Sequence, residues 1–255
     1  MTRLRLDARI TDTIAWLGLA LLIASFVVLV LQPQPAPSAR IERHRHAEPF
    51  ALVVLDPGHG GADSGAMAGA VSEKDLTLDI ARRVERLLAA RGVATLMTRV
   101  GDSYVALADR AALANRAEDA IFISIHLNDG ARPGASGVET YFASRQTDGR
   151  PRLASWFPFL QSMEEPNVQS QSLAGFIQQE LVGQTHASNR GTKAEQFFVL
   201  ANVRHPAVLV EGGFLTNRDD VTKLGDANYR EQLGTAISSG IFKYRETLKQ
   251  RPVER

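Results

Sequence analysis

The chain has 255 residues, of which 44% are hydrophobic, and this suits one domain of roughly 200 residues with an appendage. The formal net charge is +1, and the sequence has neither a basic stripe nor a DNA-binding motif, so nothing favours nucleic acid as a partner. There is no cysteine, which excludes disulfides, thiolate metal sites and catalysis by a cysteine nucleophile.

The N-terminal part differs in kind from the rest of the chain. Residues 14–31, IAWLGLALLIASFVVLVL, are apolar or small throughout and just long enough to cross a bilayer. We predict a cytoplasmic N-terminus at 1–13, an uncleaved transmembrane signal anchor at 14–31, and a Pro-rich linker at 32–48. The alternative is a cleaved signal peptide, because Ala36 and Ser38 could serve a peptidase.

From residue 49 onward, short apolar runs typical of strands alternate with amphipathic stretches typical of helices. Strands are predicted at 51–56, 93–98, 120–126, 137–142, 196–200 and 207–212. Helices are predicted at 75–91, 105–117, 170–182 and 226–249, the second with Leu107, Ala111 and Ala114 on one side. The alternation predicts an α/β fold, in which a mostly parallel (mixed) twisted sheet has helices on both faces. We place this single catalytic domain at 49–250.

Four ionisable side chains lie near the ends of predicted strands. His59 follows the first strand in DPGHGG, and Glu73 lies just before the first helix. His126 ends the third strand, and Glu211 ends the last one. Ligands of open α/β sheets gather at the carboxyl ends of the strands, so we expect these side chains to meet there.

Two imidazoles and one carboxylate form a catalytic zinc site that keeps a fourth position open for water. A further carboxylate near that water can accept its proton and later give it to a leaving amine. Spacing alone leaves structural roles open, because a glutamate at a helix start commonly interacts with the helix dipole. Glu211 favours function, because a carboxylate ending an apolar strand is costly unless it is paired or functional. Asp56 is a candidate to accept the second ring hydrogen of a ligand histidine.

Longer motifs narrow the interpretation. They are VVLDPGHGGADSGA (53–66), SEKDLTLDIARRVERLL (72–88), TRVGDSYVALADRAALAN (98–115), FISIHLN (122–128), GVETYF (137–142), NRGTKAEQFFVL (189–200) and PAVLVEGGFLTNRDD (206–220). In these motifs the chain resembles the zinc-dependent N-acetylmuramoyl-L-alanine amidases of the amidase-3 type. The resemblance implies that His59, Glu73 and His126 hold Zn²⁺ and that Glu211 is the catalytic acid/base. It also implies the substrate, which is the amide between N-acetylmuramic acid and L-alanine in peptidoglycan, cut in cell-wall remodelling or cell separation.

Several further residues are candidates for supporting roles. Arg99 and Asn128 are candidates for contacting the substrate or supporting the site, with loop anchoring as the alternative. The segment 150–167 departs from the simplest family pattern, and we interpret it as a candidate lid insertion. In that interpretation Glu164 or Glu165 reaches the metal until an activator protein binds the segment. The alternative is that the segment packs on the domain surface.

Two other functions stay open at this point. One is a catalytically inactive peptidoglycan-binding module that recruits partners, and the other is a zinc peptidase acting on the stem peptides. Because peptidoglycan lies outside the inner membrane, we expect a single-pass inner-membrane protein with a periplasmic catalytic domain. With a cleaved signal peptide the domain would instead be soluble in the periplasm.

Overall fold

A six-stranded sheet forms the centre of the part that the computed structural model describes, residues 49–130, 134–146 and 167–250. These residues fall within one compact unit that spans residues 47–255. Numbered in chain order, the strands of the sheet are β1 (Leu52–Pro57), β4 (Ala94–Met97), β5 (Ala120–Asn128), β6 (Val138–Phe142), β7 (Asn189–Ala194) and β8 (Ala207–Phe214). A separate small hairpin consists of β2 (Met67–Ala68) and β3 (Val71–Ser72).

The strand order is β4-β1-β5-β8-β6-β7. Strands β4, β1, β5 and β8 run parallel to one another, β6 is antiparallel to β8, and β7 is parallel to β6. The predicted mixed, mostly parallel sheet is therefore confirmed. Strand β5 lies inside the sheet, which explains why its sequence is apolar without alternation: both of its faces are covered.

Helices cover both faces of the sheet and create two layers of core. They are α1 (Glu73–Ala89), α2 (Leu107–Arg116), α3 (Val168–Thr185), α4 (Phe198–Ala201), α5 (Arg218–Gly225) and α6 (Ala227–Gln250). On one face α1, α3 and α6 pack against side chains such as Leu55 and Ile123. On the other face α2 and α4 pack against Val54 and Phe122. Neighbouring residues of a strand point to opposite faces, so each strand contributes to both layers.

The structure corrects two of the predicted elements. The strand predicted at 196–200 is wrong, because β7 lies earlier, at Asn189–Ala194, and Phe198–Ala201 is a short helix. A short apolar run does not distinguish a strand from a buried helical turn, and the polar edge strand β7 carries no apolar signal. In α2, Leu107 is 54% exposed, whereas Arg110 lies on the buried side with Ala111 and Ala114.

Other predictions fall on residues that the structure does not describe. The predicted anchor at 14–31, the linker at 32–48 and residues 150–166 of the predicted lid lie outside the described ranges. Glu164 and Glu165 belong to this group. Among the described residues, no helix combines the length and the apolar surface that crossing a membrane requires.

Candidate metal centre

The loop after β1 carries His59, the first candidate ligand, and two buried arginines donate hydrogen bonds to its backbone. Arg110 donates to the backbone carbonyls of Pro57 and His59, each at 2.7 Å. Arg99 donates to the carbonyls of Pro57, at 3.0 Å, and of Gly58, at 2.8 Å. The loop is tightly curved, and His59 itself has a φ of 60°. Such a backbone conformation is uncommon for a side-chain-bearing residue and persists only where the surroundings enforce it.

Gly58 lets this loop approach β5 closely. A Cβ atom on Gly58 would lie 2.4 Å from Cε1 of the His126 ring, far inside van der Waals contact. Only a residue without a side chain therefore fits between the loop and the second histidine. The loop and β5 are brought together by the parallel pairing of β1 with β5.

His59, Glu73 and His126 converge on one point. Glu73 Oε1 lies 3.0 Å from His59 Nε2 and 3.0 Å from His126 Nδ1. The candidate ligand atoms of all three residues lie within 4.8 Å of one another. Ligands of a tetrahedral zinc with bonds of about 2.0–2.1 Å are roughly 3.3 Å apart, so the spacing fits such an ion. Two imidazoles and one carboxylate are also the donor types that zinc prefers.

Glu73 is fixed and anionic. Its Oε1 accepts the backbone N–H of Leu127 at 3.0 Å, and its Oε2 accepts that of Ala66 at 2.9 Å. Burial alone would raise the pKa of Glu73, but the hydrogen bonds with His126 and His59 and with the Leu127 amide lower it below its ordinary value. The carboxylate is therefore charged at neutral pH, as a metal ligand must be.

The carboxylate beside the His59 ring is that of Asp63 and not that of the predicted Asp56. His59 Nδ1 lies 2.9 Å from Asp63 Oδ2, where this carboxylate can orient the ring. Burial alone would lower the pKa of His59, but the carboxylates of Glu73 and Asp63 raise it above its ordinary value. Asp56 is 1% exposed inside β1, and its oxygens accept from Thr98, Arg110 and Ser124. The prediction for Asp56 is wrong because its carboxylate neutralises a buried guanidinium.

The two predicted supporting residues, Arg99 and Asn128, lie in different surroundings. Arg99 is 3% exposed, and its donors reach backbone carbonyls of the His59 loop and its neighbours, so it anchors the loop and does not face substrate. Asn128, by contrast, is partly exposed and donates to Glu139 Oε1 at 2.8 Å. Its contact with a substrate stays a prediction.

Glu211 lies in the same row of the sheet as His126. In the register of the strands, Glu211 of β8 is the direct neighbour of His126 in β5 and of Glu139 in β6. Directly paired residues point to the same face, so the three side chains stand side by side. Glu211 is partly buried, and its Oε2 is enclosed without a hydrogen-bond partner in the part of the chain that the structure describes.

The surroundings of Glu211 oppose its ionisation. Burial raises the pKa of Glu211 well above its ordinary value, and the charges of Glu73 and Glu139 raise it further, while Lys193 acts in the opposite sense. A bound cation would stabilise the carboxylate and lower this pKa again. A carboxyl group whose proton is lost and regained near neutral pH is what general acid/base catalysis requires.

Glu139 is the residue that the sequence analysis missed. It is 1% exposed, and it accepts hydrogen bonds from Asn128, Tyr141, Arg190 and Lys193. The sequence contained a pattern that could have identified Glu139, because this residue interrupts the apolar stretch GVETYF in the same way as Glu211 interrupts AVLVEGG. A buried carboxylate is costly unless it is paired or functional, and this holds for Glu139 as well as for Glu211.

An α/β sheet whose carboxyl edge presents two imidazoles, one ligand carboxylate and one free carboxylate defines a candidate metal-dependent hydrolase. Comparison with known proteins narrows this class. A family model described as N-acetylmuramoyl-L-alanine amidase (Amidase_3) matches residues 53–243, and the chain belongs to this family. The match covers both histidines, Glu73 and Glu211.

Individual relatives and solved structures agree with the family. The N-acetylmuramoyl-L-alanine amidase LytC of Bacillus subtilis is 34% identical over 192 residues, which are 75% of this chain and 35% of LytC. The crystal structure of an N-acetylmuramoyl-L-alanine amidase from Clostridium difficile 630 matches with a TM-score of 0.67 and 32% identity, over 78% of this chain and 98% of that one. The CwlD amidase from Clostridioides difficile, solved in complex with the GerS lipoprotein, matches with a TM-score of 0.66 and 27% identity, over 77% of this chain and 99% of that one.

Proposed function

We propose that the chain is a zinc-dependent amidase that hydrolyses the bond between N-acetylmuramic acid and L-alanine in peptidoglycan. The observation that carries the proposal is the convergence of His59, Glu73 and His126 beside Glu211, whose Oε2 has no hydrogen-bond partner among the described residues. Membership of the amidase family supplies the substrate class. The donor set supports zinc as the metal, because it combines imidazole and carboxylate ligands and includes no thiolate.

The chain's own residues divide the chemistry between them. His59, Glu73 and His126 would hold the metal. When bound, the metal ion polarises the scissile carbonyl and lowers the pKa of an adjacent water to about 7. Glu211 accepts a proton from the attacking water while the water oxygen bonds to the lactyl carbonyl carbon. Glu211 then gives the proton to the nitrogen of L-alanine as the C–N bond breaks, which leaves a lactyl carboxylate and a free peptide amine.

A direct test uses a defined muramoyl peptide and the purified chain. We expect release of a peptide with a free L-alanine amine, loss of that activity with a chelator, and recovery with zinc. A zinc peptidase would instead release amino acids from within the stem. A catalytically inactive module would bind the substrate and release nothing. Activity that persists after verified removal of all metal would contradict the zinc mechanism.

We also propose that residues 14–31 anchor the chain in the inner membrane with residues 49–250 in the periplasm. The apolar run in the sequence and the extracytoplasmic position of peptidoglycan support this topology. A cleaved signal peptide is the alternative and would place a shorter, soluble protein in the same compartment. An enzyme reporter that is active only outside the cytoplasm, fused to the C-terminus, distinguishes a periplasmic from a cytoplasmic domain. The mass of the mature protein then distinguishes the anchor from the cleaved form.

A protein activator acting on residues 150–167 stays a prediction from the sequence. The complex of the CwlD amidase with the GerS lipoprotein shows that one structural neighbour is bound by a protein partner. Replacing 150–167 with a short Gly-Ser loop should raise activity several-fold if the segment covers the site. Unchanged activity in a folded, zinc-loaded variant would favour the packing alternative.

A further inference from the structure

A second polar site lies beside the proposed catalytic centre and has no role in the chemistry above. It is a cavity of about 350 Å³. Its lining includes the partners of Glu139, and the residues are Asn128, Asp129, Gly130, Ala135, Glu139, Tyr141, Arg190, Lys193 and Phe214. We call this the Arg190–Lys193 cavity. It opens next to the row formed by His126, Glu211 and Glu139.

Glu139 already has its full complement of hydrogen bonds. Its Oε1 accepts from Asn128 at 2.8 Å and from the Tyr141 hydroxyl at 2.6 Å. Its Oε2 accepts from Arg190 Nε at 2.7 Å and from Lys193 Nζ at 2.5 Å. An ionised carboxylate offers about four lone-pair sites, so none is left for a ligand. Glu139 therefore serves to hold two cations at the wall of the cavity.

The two cations keep donors that have no acceptor among the described residues. Arg190 uses only Nε toward Glu139, which leaves both terminal nitrogens of the guanidinium without a hydrogen bond to the described residues. The Arg190 guanidinium carbon also lies over the Phe214 ring, 4.8 Å from the ring centroid, and this cation–π contact restrains the side chain. The Arg190 and Lys193 side chains are 34% and 37% exposed, so a ligand can reach them.

Within the lining of the cavity, the charge balance leaves one cation without a buried counter-charge. Glu139 neutralises one of the two, and the remaining acid in the lining, Asp129, is exposed and its charge is screened by water. A guanidinium whose terminal nitrogens have no acceptor among the described residues, next to an ammonium, is suited to a carboxylate, which the guanidinium can bind with two parallel hydrogen bonds.

The register of the sheet sets the distance from the metal ligands. Glu139 lies two strands from His126, which corresponds to about 10 Å at the usual strand spacing. Two extended residues span roughly 7 Å, and a terminal carboxylate adds to that reach. A carboxylate on the second residue of the leaving peptide is therefore within reach of the cavity when the scissile amide is at the metal centre.

We infer that the Arg190–Lys193 cavity is a subsite for a carboxylate on the peptide side of the scissile amide, and specifically the free α-carboxylate of the second stem residue. The inference rests on the proposed amidase function. It makes Arg190 and Lys193 determinants of substrate specificity, with Glu139 and Asn128 as positioning residues.

The test compares two substrates that differ in one group. One is N-acetylmuramoyl-L-alanyl-D-isoglutamate, with a free α-carboxylate, and the other is the same molecule with an α-carboxamide. With the zinc-loaded full chain we expect kcat/KM to favour the carboxylate by at least about tenfold, the effect of a charge-assisted hydrogen bond. Lys193→Met should reduce the ratio toward one, and Lys193→Arg should restore most of it. Lys243→Met, which removes an exposed lysine on α6, serves as the matched control and should keep the wild-type ratio.

A binding measurement separates recognition from catalysis. In a Glu211→Gln background, calorimetry should show weaker binding of the carboxylate substrate after Lys193→Met. Zinc content and circular dichroism establish that each variant is folded and loaded. Equal kcat/KM for both substrates in the wild-type chain, or an unchanged ratio in folded Lys193→Met, would overturn the subsite and leave the amidase function standing. Cleavage at a bond other than the muramoyl–alanine amide would overturn both.

Discussion

The close approach of Gly58 to His126 predicts that a single methyl group disturbs the metal site. In Gly58→Ala the new Cβ would meet the His126 ring at 2.4 Å from Cε1, 2.6 Å from Nε2 and 2.7 Å from Nδ1. Non-bonded carbon atoms pack at about 3.5 Å, so the ring and the loop must separate by roughly 1 Å. Gly58 does not have a left-handed φ, so alanine adds no backbone strain and the effect is steric.

The size of this shift sets the expected loss of metal affinity. Metal–ligand distances tolerate about ±0.2 Å, and a displacement of about 1 Å takes His126 out of bonding range unless the loop yields. We therefore expect zinc affinity to fall by at least about 10–100-fold, or roughly 1.4–2.8 kcal/mol. Competition with a chromogenic chelator measures this affinity.

The matched control for Gly58→Ala is Gly175→Ala. Gly175 lies within α3, and a Cβ there would meet nothing within 4 Å. That variant should bind zinc like the wild type and gain slightly in stability, because alanine has the higher helix propensity. Wild-type zinc affinity in a folded Gly58→Ala protein would refute the claim that the Gly58 loop and the metal-binding position of the His126 ring depend on each other.

Two further substitutions give three tests of the remaining parts of the site. Glu211→Gln should retain zinc and lose about 10²–10⁴-fold in kcat, as expected for a proton-transfer group, and near wild-type turnover would refute that role. In the metal-free protein the same change should raise stability above about pH 4.5, the ordinary pKa of the group. Because the folded-state pKa of Glu211 is raised, its contribution to the free energy of unfolding is fully present below the unfolded-state pKa and is lost as pH rises toward the folded-state pKa. Equal stability of the wild type and Glu211→Gln in urea at pH 7 would contradict the raised pKa. Arg110→Met should destabilise the fold by about 3–5 kcal/mol in urea unfolding, because it leaves the buried Asp56 carboxylate without its guanidinium; a loss below about 1 kcal/mol would refute the pairing.

The parts of the fold that follow from local pattern could be predicted from the sequence. The apolar runs of β1, β5 and β8 are buried on both faces, and α1 has Ile80, Val84 and Leu88 on one stripe. Strand β7 could not be found in this way, because an edge strand needs no apolar residues and is defined by its pairing with a distant β6. The short helix α4 was mistaken for a strand because four residues do not establish a period.

In the candidate site, too, some residues could be predicted from the sequence and others could not. The type and order of His59, Glu73, His126 and Glu211 indicated a metal centre, and strand order then brought them to one edge of the sheet. The partners that orient them depend on geometry that the sequence does not display. Asp56 precedes His59 closely in sequence but lies within the strand, whereas Asp63 returns to the ring through a tight turn.

The central claim is that this site cuts one particular bond. The most direct measurement is mass spectrometry of the products released from purified peptidoglycan by the zinc-loaded chain, with a chelator-treated sample beside it. The account predicts intact glycan strands and free stem peptides that begin with L-alanine, and no such peptides after chelation. Release of free amino acids from the stem, or of the same peptides from metal-free protein, would contradict it.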